Sequence, residues 1–139
     1  MGNAPGRPRV LLADHDEQAL KLTALRLERA GYEVLVARDG EEALAHARAE
    51  LPDVCVLDVM TPKLTGYDVT RLLREDPRTS AIAVILLTAL GAEGVAAQGF
   101  CGGADDYVRK PFSPHELRTR VQAVLARRAA AAANAAAAS

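Results

Sequence analysis

Four polar residues stand where predicted strands end: Asp14, Asp58, Thr88 and Lys110. If those strands run parallel, their C-terminal ends share one edge, and two carboxylates, a hydroxyl and an ammonium meet in a shallow cleft. That set suits phosphoryl transfer to a carboxylate. An aspartate can attack phosphorus as a nucleophile and become an aspartyl phosphate. The obstacle is the approach of an anionic oxygen to an anionic phosphoryl group. Cations must neutralise the equatorial oxygens, and positioning does most of the rest. Lys110 is one cation, and an octahedral, oxygen-ligated divalent ion held by the acidic residues is the other. Thr88 can donate a hydrogen bond to a phosphoryl oxygen.

The elements that must position these residues alternate strictly. Short apolar runs at 10–13, 33–37, 54–57 and 82–87, and a short stretch at 106–109 that ends at Lys110, read as strands. The first helical pattern places Leu20, Ala24 and Leu27 on one face and stops at Gly31. Asp39 with Glu42 makes a capping-box-like start for a second, with a stripe of Leu44, Ala47 and Leu51. Beyond Pro62 and Gly66, Val69, Leu72 and Leu73 mark a third. The continuous run 82–87 suits a central parallel strand covered on both faces. Residues 90–103 are the weakest helical candidate, because their five glycines each cost about 0.5–1 kcal/mol relative to alanine. They are expected to form the least ordered helix, or a shortened one. Ser113-Pro114-His115-Glu116 starts a last helix whose buried face is Leu117, Val121 and Val124. Five strands and five helices imply right-handed crossovers and a doubly wound α/β parallel sheet. In such folds the reactive site lies outside the C-terminal strand ends.

Composition excludes several classes. The 139 residues suffice for one core. A net charge of −1 provides no global attraction to nucleic acid or anionic lipid. Of 28 alanines, nine lie in the last 11 residues and inflate the apolar share. No apolar run approaches the ~20 residues of a membrane helix, and the N-terminus lacks the apolar stretch of a signal peptide, so the expected location is cytoplasmic. Cys55 and Cys101 are too few for a disulfide scaffold and read as buried thiols. Residues 1–8 are expected to be a disordered segment, 9–128 the domain, and 129–139 an alanine-rich tail that extends the last helix or acts as a linker. His46 and His115 fall on exposed helix faces. Asp105 and Asp106 read as a turn and a strand start. Arg118, Arg120, Arg127 and Arg128 make the last helix basic.

Over about residues 8–128 the chain resembles the receiver domain of two-component response regulators. The resemblance rests on Leu12-Ala13-Asp14-His15, on Leu57-Asp58-x-Met60-x-Pro62-x-x-x-Gly66, on Thr88-Ala89, and on Gly103-Ala104-Asp105-Asp106-Tyr107-x-x-Lys110-Pro111-Phe112. It implies a flavodoxin-like receiver fold with strand order 2-1-3-4-5. It places Asp58 as the phosphoacceptor, supplied by a sensor histidine kinase, a phosphotransfer protein or a small donor such as acetyl phosphate. Asp14 falls on the acidic metal pair and Met60 on the position whose backbone carbonyl binds the metal, with Mg²⁺ as the implied ion. Thr88 and Lys110 fall on the phosphoryl-sensing pair, and Tyr107 on the aromatic switch. A cis peptide is expected between Lys110 and Pro111. Such a domain phosphorylates and dephosphorylates itself without turning over a metabolite. It switches the face made by its fourth helix, fifth strand and fifth helix toward a downstream protein or an output domain, and a homodimer through that face stays open. With no helix-turn-helix after residue 128, direct contact with nucleic acid is not expected within these residues.

One departure stands out. His15 occupies the second acidic position of the metal pair, and imidazole is a poor ligand for Mg²⁺. Three outcomes follow: weaker Mg²⁺ binding, substitution by Asp16, or loss of metal dependence. Asp16 also reads as the N-cap of the first helix. Loss of metal dependence gives the competing function, a phosphorylation-independent pseudo-receiver that acts as a protein interaction module. A flavin-binding reading fails because acidic residues, not a glycine-rich phosphate loop, follow the first strand.

Overall fold

The computed structural model describes residues 6–89 and 103–138. Strands β1 (Arg9–Ala13), β2 (Glu33–Ala37), β3 (Val54–Asp58), β4 (Ala83–Thr88) and β5 (Asp106–Arg109) form one parallel sheet in the order β2-β1-β3-β4-β5. Four helices, not the expected five, stand among the described residues: α1 (Glu17–Arg29), α2 (Gly40–Glu50), α3 (Gly66–Glu75) and α4 (Pro114–Ala138). The helix expected over 90–103 lies outside the described residues except for Gly103, and so does Cys101.

Alternation along the central strands sends side chains to two cores. Leu11, Cys55, Leu57, Val84 and Leu86 pack with Leu44 and Ala47 of α2 and Val69 and Leu73 of α3. Val10, Leu12, Val56, Ile85 and Leu87 pack with Leu20 and Leu27 of α1 and Leu117, Val121 and Val124 of α4. Every residue of β3 and β4 is buried. Covering both faces removes water from the whole strand, so these runs read as continuous apolar sequence.

Caps fix where the helices begin. Asp16 Oδ1 accepts from Gln18 N at 3.0 Å and Ala19 N at 3.3 Å. Asp39 Oδ1 accepts from Glu42 N at 2.8 Å, while Glu42 reaches back to Arg38 N rather than to the cap residue itself. At α3, Thr65 and Asp68 form a reciprocal capping box that the sequence reading did not anticipate. Leu51, expected on the buried stripe of α2, is instead 51% exposed. It caps that helix in the left-handed conformation, with φ 47°, so its side chain leaves the helix face. The alanine-rich tail continues α4 to Ala138, as alanine's high helix propensity favours. Arg7 and Pro8, in the segment expected to be disordered, are held: Arg7 donates to the carbonyls of Gly31 and Tyr32, and Pro8 accepts from Glu33 N.

Candidate functional site

The sheet order puts β1 and β3 side by side in its centre, with Ala13 paired to Leu57 and Asp58 paired to Leu87. Asp14 and Asp58 therefore emerge as neighbours at the same rim. Both are buried, 3% and 2% exposed. The loop after β5 carries Lys110 over them, anchored by Lys110 N donating to Thr88 O at 2.7 Å. Lys110 Nζ lies 3.1 Å from Asp14 Oδ2 and 3.2 Å from Asp58 Oδ2. One ammonium thus bridges two carboxylates that are 44 positions apart in the chain. The Lys110–Pro111 peptide is cis.

Backbone donors hold the other oxygens. Asp16 N donates to Asp14 Oδ1 and Met60 N to Asp58 Oδ1, each at 3.0 Å. The Met60 side chain is 70% exposed, so this position serves the site through its backbone. Gly66 makes that close loop geometry available. A Cβ there would stand 3.0 Å from both Asp58 O and Val59 Cα.

His15 enters the same cluster. Its Nδ1 lies 2.8 Å from Asp58 Oδ2 and 3.7 Å from Asp14 Oδ1. Asp14, His15 and Asp58 each offer a ligand atom within 4.8 Å of the others. The two carboxylates suit a hard divalent cation, and the imidazole is the donor that does not suit Mg²⁺. Asp16 is engaged as the α1 cap and stands outside this group.

The electrostatics separate the two acids. Burial pushes the Asp14 carboxyl above the usual carboxylate range, with Asp58 adding to the rise and the Asp16 N–H and Lys110 opposing it. Burial also acts against an Asp58 charge. There it is outweighed by the Met60 N–H, the hydrogen bond shared with Asp14, the Lys110 charge and His15, which hold Asp58 below the usual range. Burial disfavours the Lys110 ammonium too, yet the flanking carboxylates raise its pKa. Of the two acids, Asp58 is the one whose surroundings favour the charged form, the form that attacks as a nucleophile.

Thr88 is buried at the end of β4. Tyr107 lies on β5 opposite Leu86 and packs, half-buried, against the core shared with α2 and α3. His46 is half-buried and His115 exposed, both away from the cluster. Asp105 does more than turn the chain: its Oδ2 accepts from Val84 N at 2.8 Å, Arg74 Nη2 at 3.0 Å and Arg128 Nη2 at 2.8 Å. This latch ties α3, β4 and α4 beside β5, and no local pattern in the sequence announces it. A groove of about 950 Å³ also opens from Asp14 and Lys110 between α1 and the start of α4, past Leu22, Arg26 and Phe112.

Residues 10–122 match the family model for the response regulator receiver domain. The chain is 45% identical over 119 residues to the alkaline phosphatase synthesis transcriptional regulatory protein PhoP of Bacillus subtilis, covering 86% of this chain and 49% of that protein. It is 46% identical over 120 residues to the DNA-binding dual master transcriptional regulator RpaA of Synechocystis, covering 86% of this chain and 50% of that protein. The chain therefore spans about half the length of these curated relatives. Among solved structures, a Francisella response regulator receiver domain superposes with a TM-score of 0.79 at 36% identity, covering 87% of this chain and 98% of that one. A Pseudomonas aeruginosa sensor histidine kinase receiver domain, with a magnesium ion coordinated in its active site cleft, gives 0.80 at 27% identity, covering 87% and 99%.

Proposed function

The chain belongs to the response regulator receiver family, and from that premise we propose that it accepts a phosphoryl group on Asp58. The observation that carries this reading is the Lys110 ammonium bridging the buried Asp14 and Asp58 carboxylates at 3.1 and 3.2 Å. An ionised Asp58 oxygen attacks phosphorus. As that P–O bond forms, the bond from phosphorus to the donor's leaving atom breaks, and the leaving group departs with the electron pair. The donor is a phosphohistidine on a sensor histidine kinase or phosphotransfer protein, or a small acyl phosphate. Lys110 balances the phosphoryl charge, and Thr88 donates to one of its oxygens. Asp14, Asp58 and the Met60 carbonyl would hold a divalent cation, Mg²⁺ in the family. It would screen the nucleophile from the phosphoryl oxygens. The chain turns over no metabolite; it is modified, hydrolyses its own modification slowly, and passes the change through β5 and Tyr107 to a downstream protein or an output domain.

Beryllofluoride with Mg²⁺ tests this reading, since it mimics a phosphoryl group on a carboxylate. Amide resonances around Asp58, Thr88 and Tyr107 are expected to shift in the native chain and to stay fixed in Asp58→Asn. Identical spectra for the two proteins would contradict it. A second reading, the phosphorylation-independent interaction module, draws on one observation: the His15 ring lies against the Asp58 oxygen.

A further inference from the structure

The residue after Asp14 brings an imidazole, not a carboxylate, to the rim. His15 Nδ1 is turned to the same two side chains that would share a cation, 2.8 Å from Asp58 Oδ2 and 3.7 Å from Asp14 Oδ1. Adjacent ligands of an octahedral ion with bonds of ~2.1 Å stand ~3 Å apart. The two separations from His15 bracket that value, and all three donor atoms lie within 4.8 Å of one another, so one ion can take all three with side-chain adjustments. The carboxylates are fixed by the Asp16 and Met60 N–H groups. The His15 side chain is 49% exposed and has room to adjust.

The nitrogen changes which ion the site prefers. Mg²⁺ takes oxygen donors and gives up its water reluctantly. Mn²⁺, Co²⁺ and Zn²⁺ accept imidazole readily, the later ions more tightly. Lys110 competes for Asp58 Oδ2, the oxygen nearest His15 Nδ1, and holds Asp14 by its other oxygen, Oδ2. It opposes every divalent ion alike, so it lowers absolute affinity and leaves the ranking to His15.

We propose that His15 is a metal ligand that shifts this centre from Mg²⁺ toward borderline first-row divalent ions, Zn²⁺ and Co²⁺ above Mn²⁺. The proposal rests on the phosphoacceptor reading for the site's location, but its readouts do not depend on phosphorylation. The experiment uses the full chain with His46→Ala and His115→Ala, which leaves His15 as the single imidazole among the three histidines. Calorimetric titrations with Mg²⁺, Mn²⁺ and Zn²⁺ are run at one fixed pH, in this background and with His15→Asp or His15→Ala added.

The ratio of Zn²⁺ to Mg²⁺ affinity is expected to fall at least ~10-fold on His15→Asp, with Mg²⁺ binding strengthened. On His15→Ala the ratio falls without any gain in Mg²⁺ affinity. The Nδ1 resonance of His15, followed by ¹⁵N NMR, shifts on saturation with Zn²⁺. An unchanged ratio in His15→Asp overturns the proposal, as does an unmoved Nδ1 resonance or Zn²⁺ binding that survives Asp14→Asn. Treating the same proteins with acetyl phosphate separates the two readings. Phosphorylation of Asp58 with an unchanged metal ranking removes the His15 assignment alone. A shifted ranking with no phosphorylation under any ion removes the phosphoacceptor reading alone.

Discussion

Lys110 is the residue on which the rim depends most. Removing its ammonium leaves two adjacent, buried carboxylates without their shared cation. Lys110→Met is expected to cost about 1–3 kcal/mol in denaturant unfolding, less than a fully buried pair because the side chain is 29% exposed. The deficit should shrink when a divalent cation is added, since the ion binds the folded state through the same two carboxylates. A second residue-scale test concerns Cys55, whose thiol burial pushes up to about 12. The sign follows from proton counting. Above ~pH 9 the unfolded thiol ionises while the folded one stays protonated, so unfolding releases a proton and stability falls as pH rises. The stability advantage of the native chain over Cys55→Ala should narrow by up to ~1.4 kcal/mol per pH unit above ~pH 9. A constant difference between pH 8 and pH 10.5 would contradict this. At this scale Asp14, Asp58, Thr88 and Lys110 were legible because each closes a strand. The contact of His15 with Asp58 was not, since it depends on the turn of one side chain.

At the scale of elements, the polar corners are set by loops that fit closely. Gly40 starts α2 under the β3–α3 loop, and an added Cβ there would overlap the Leu64 carbonyl. Gly40→Ala is expected to destabilise the fold by about 1–3 kcal/mol and to disturb the loop that carries Met60. The cap is testable separately: Asp39→Ala removes the acceptor of Glu42 N and should cost about 1 kcal/mol, while Asp39→Asn costs less. Equal melting temperatures for Asp39→Ala and Asp39→Asn would contradict the capping role. The central strands β1, β3 and β4 were readable to within a residue because apolar runs buried on both faces have abrupt ends. The Asp39 and Ser113 starts were readable because side-chain chemistry dictates them. Leu51 was misread because periodicity continued through Glu50 into a residue that had already left the helix. The Thr65–Asp68 box was missed because its spacing lies in a stretch dominated by Pro62 and Gly66.

For the whole molecule, alternation of short apolar runs with helical stripes was enough to specify a parallel sheet. The Asp105 latch was not legible, because its partners Arg74, Val84 and Arg128 come from three separate elements and meet only in the fold. That latch marks where α4 stops contributing to the body. Residues 129–137 are exposed throughout. A chain ending at Arg128 should keep its stability to within ~0.5 kcal/mol while losing the circular dichroism of about ten helical residues. A larger loss would show that the alanine segment packs on the domain. The central claim is that distant elements assemble one phosphoryl-accepting rim. Its most direct test is peptide-resolved mass spectrometry after incubation with acetyl phosphate and a divalent cation. One added phosphoryl group on Asp58, absent in Asp58→Asn and strongly reduced in Lys110→Met, is the predicted result. No modification with Mg²⁺, Mn²⁺ or Zn²⁺, or modification at another residue with Asp58 untouched, would contradict the account.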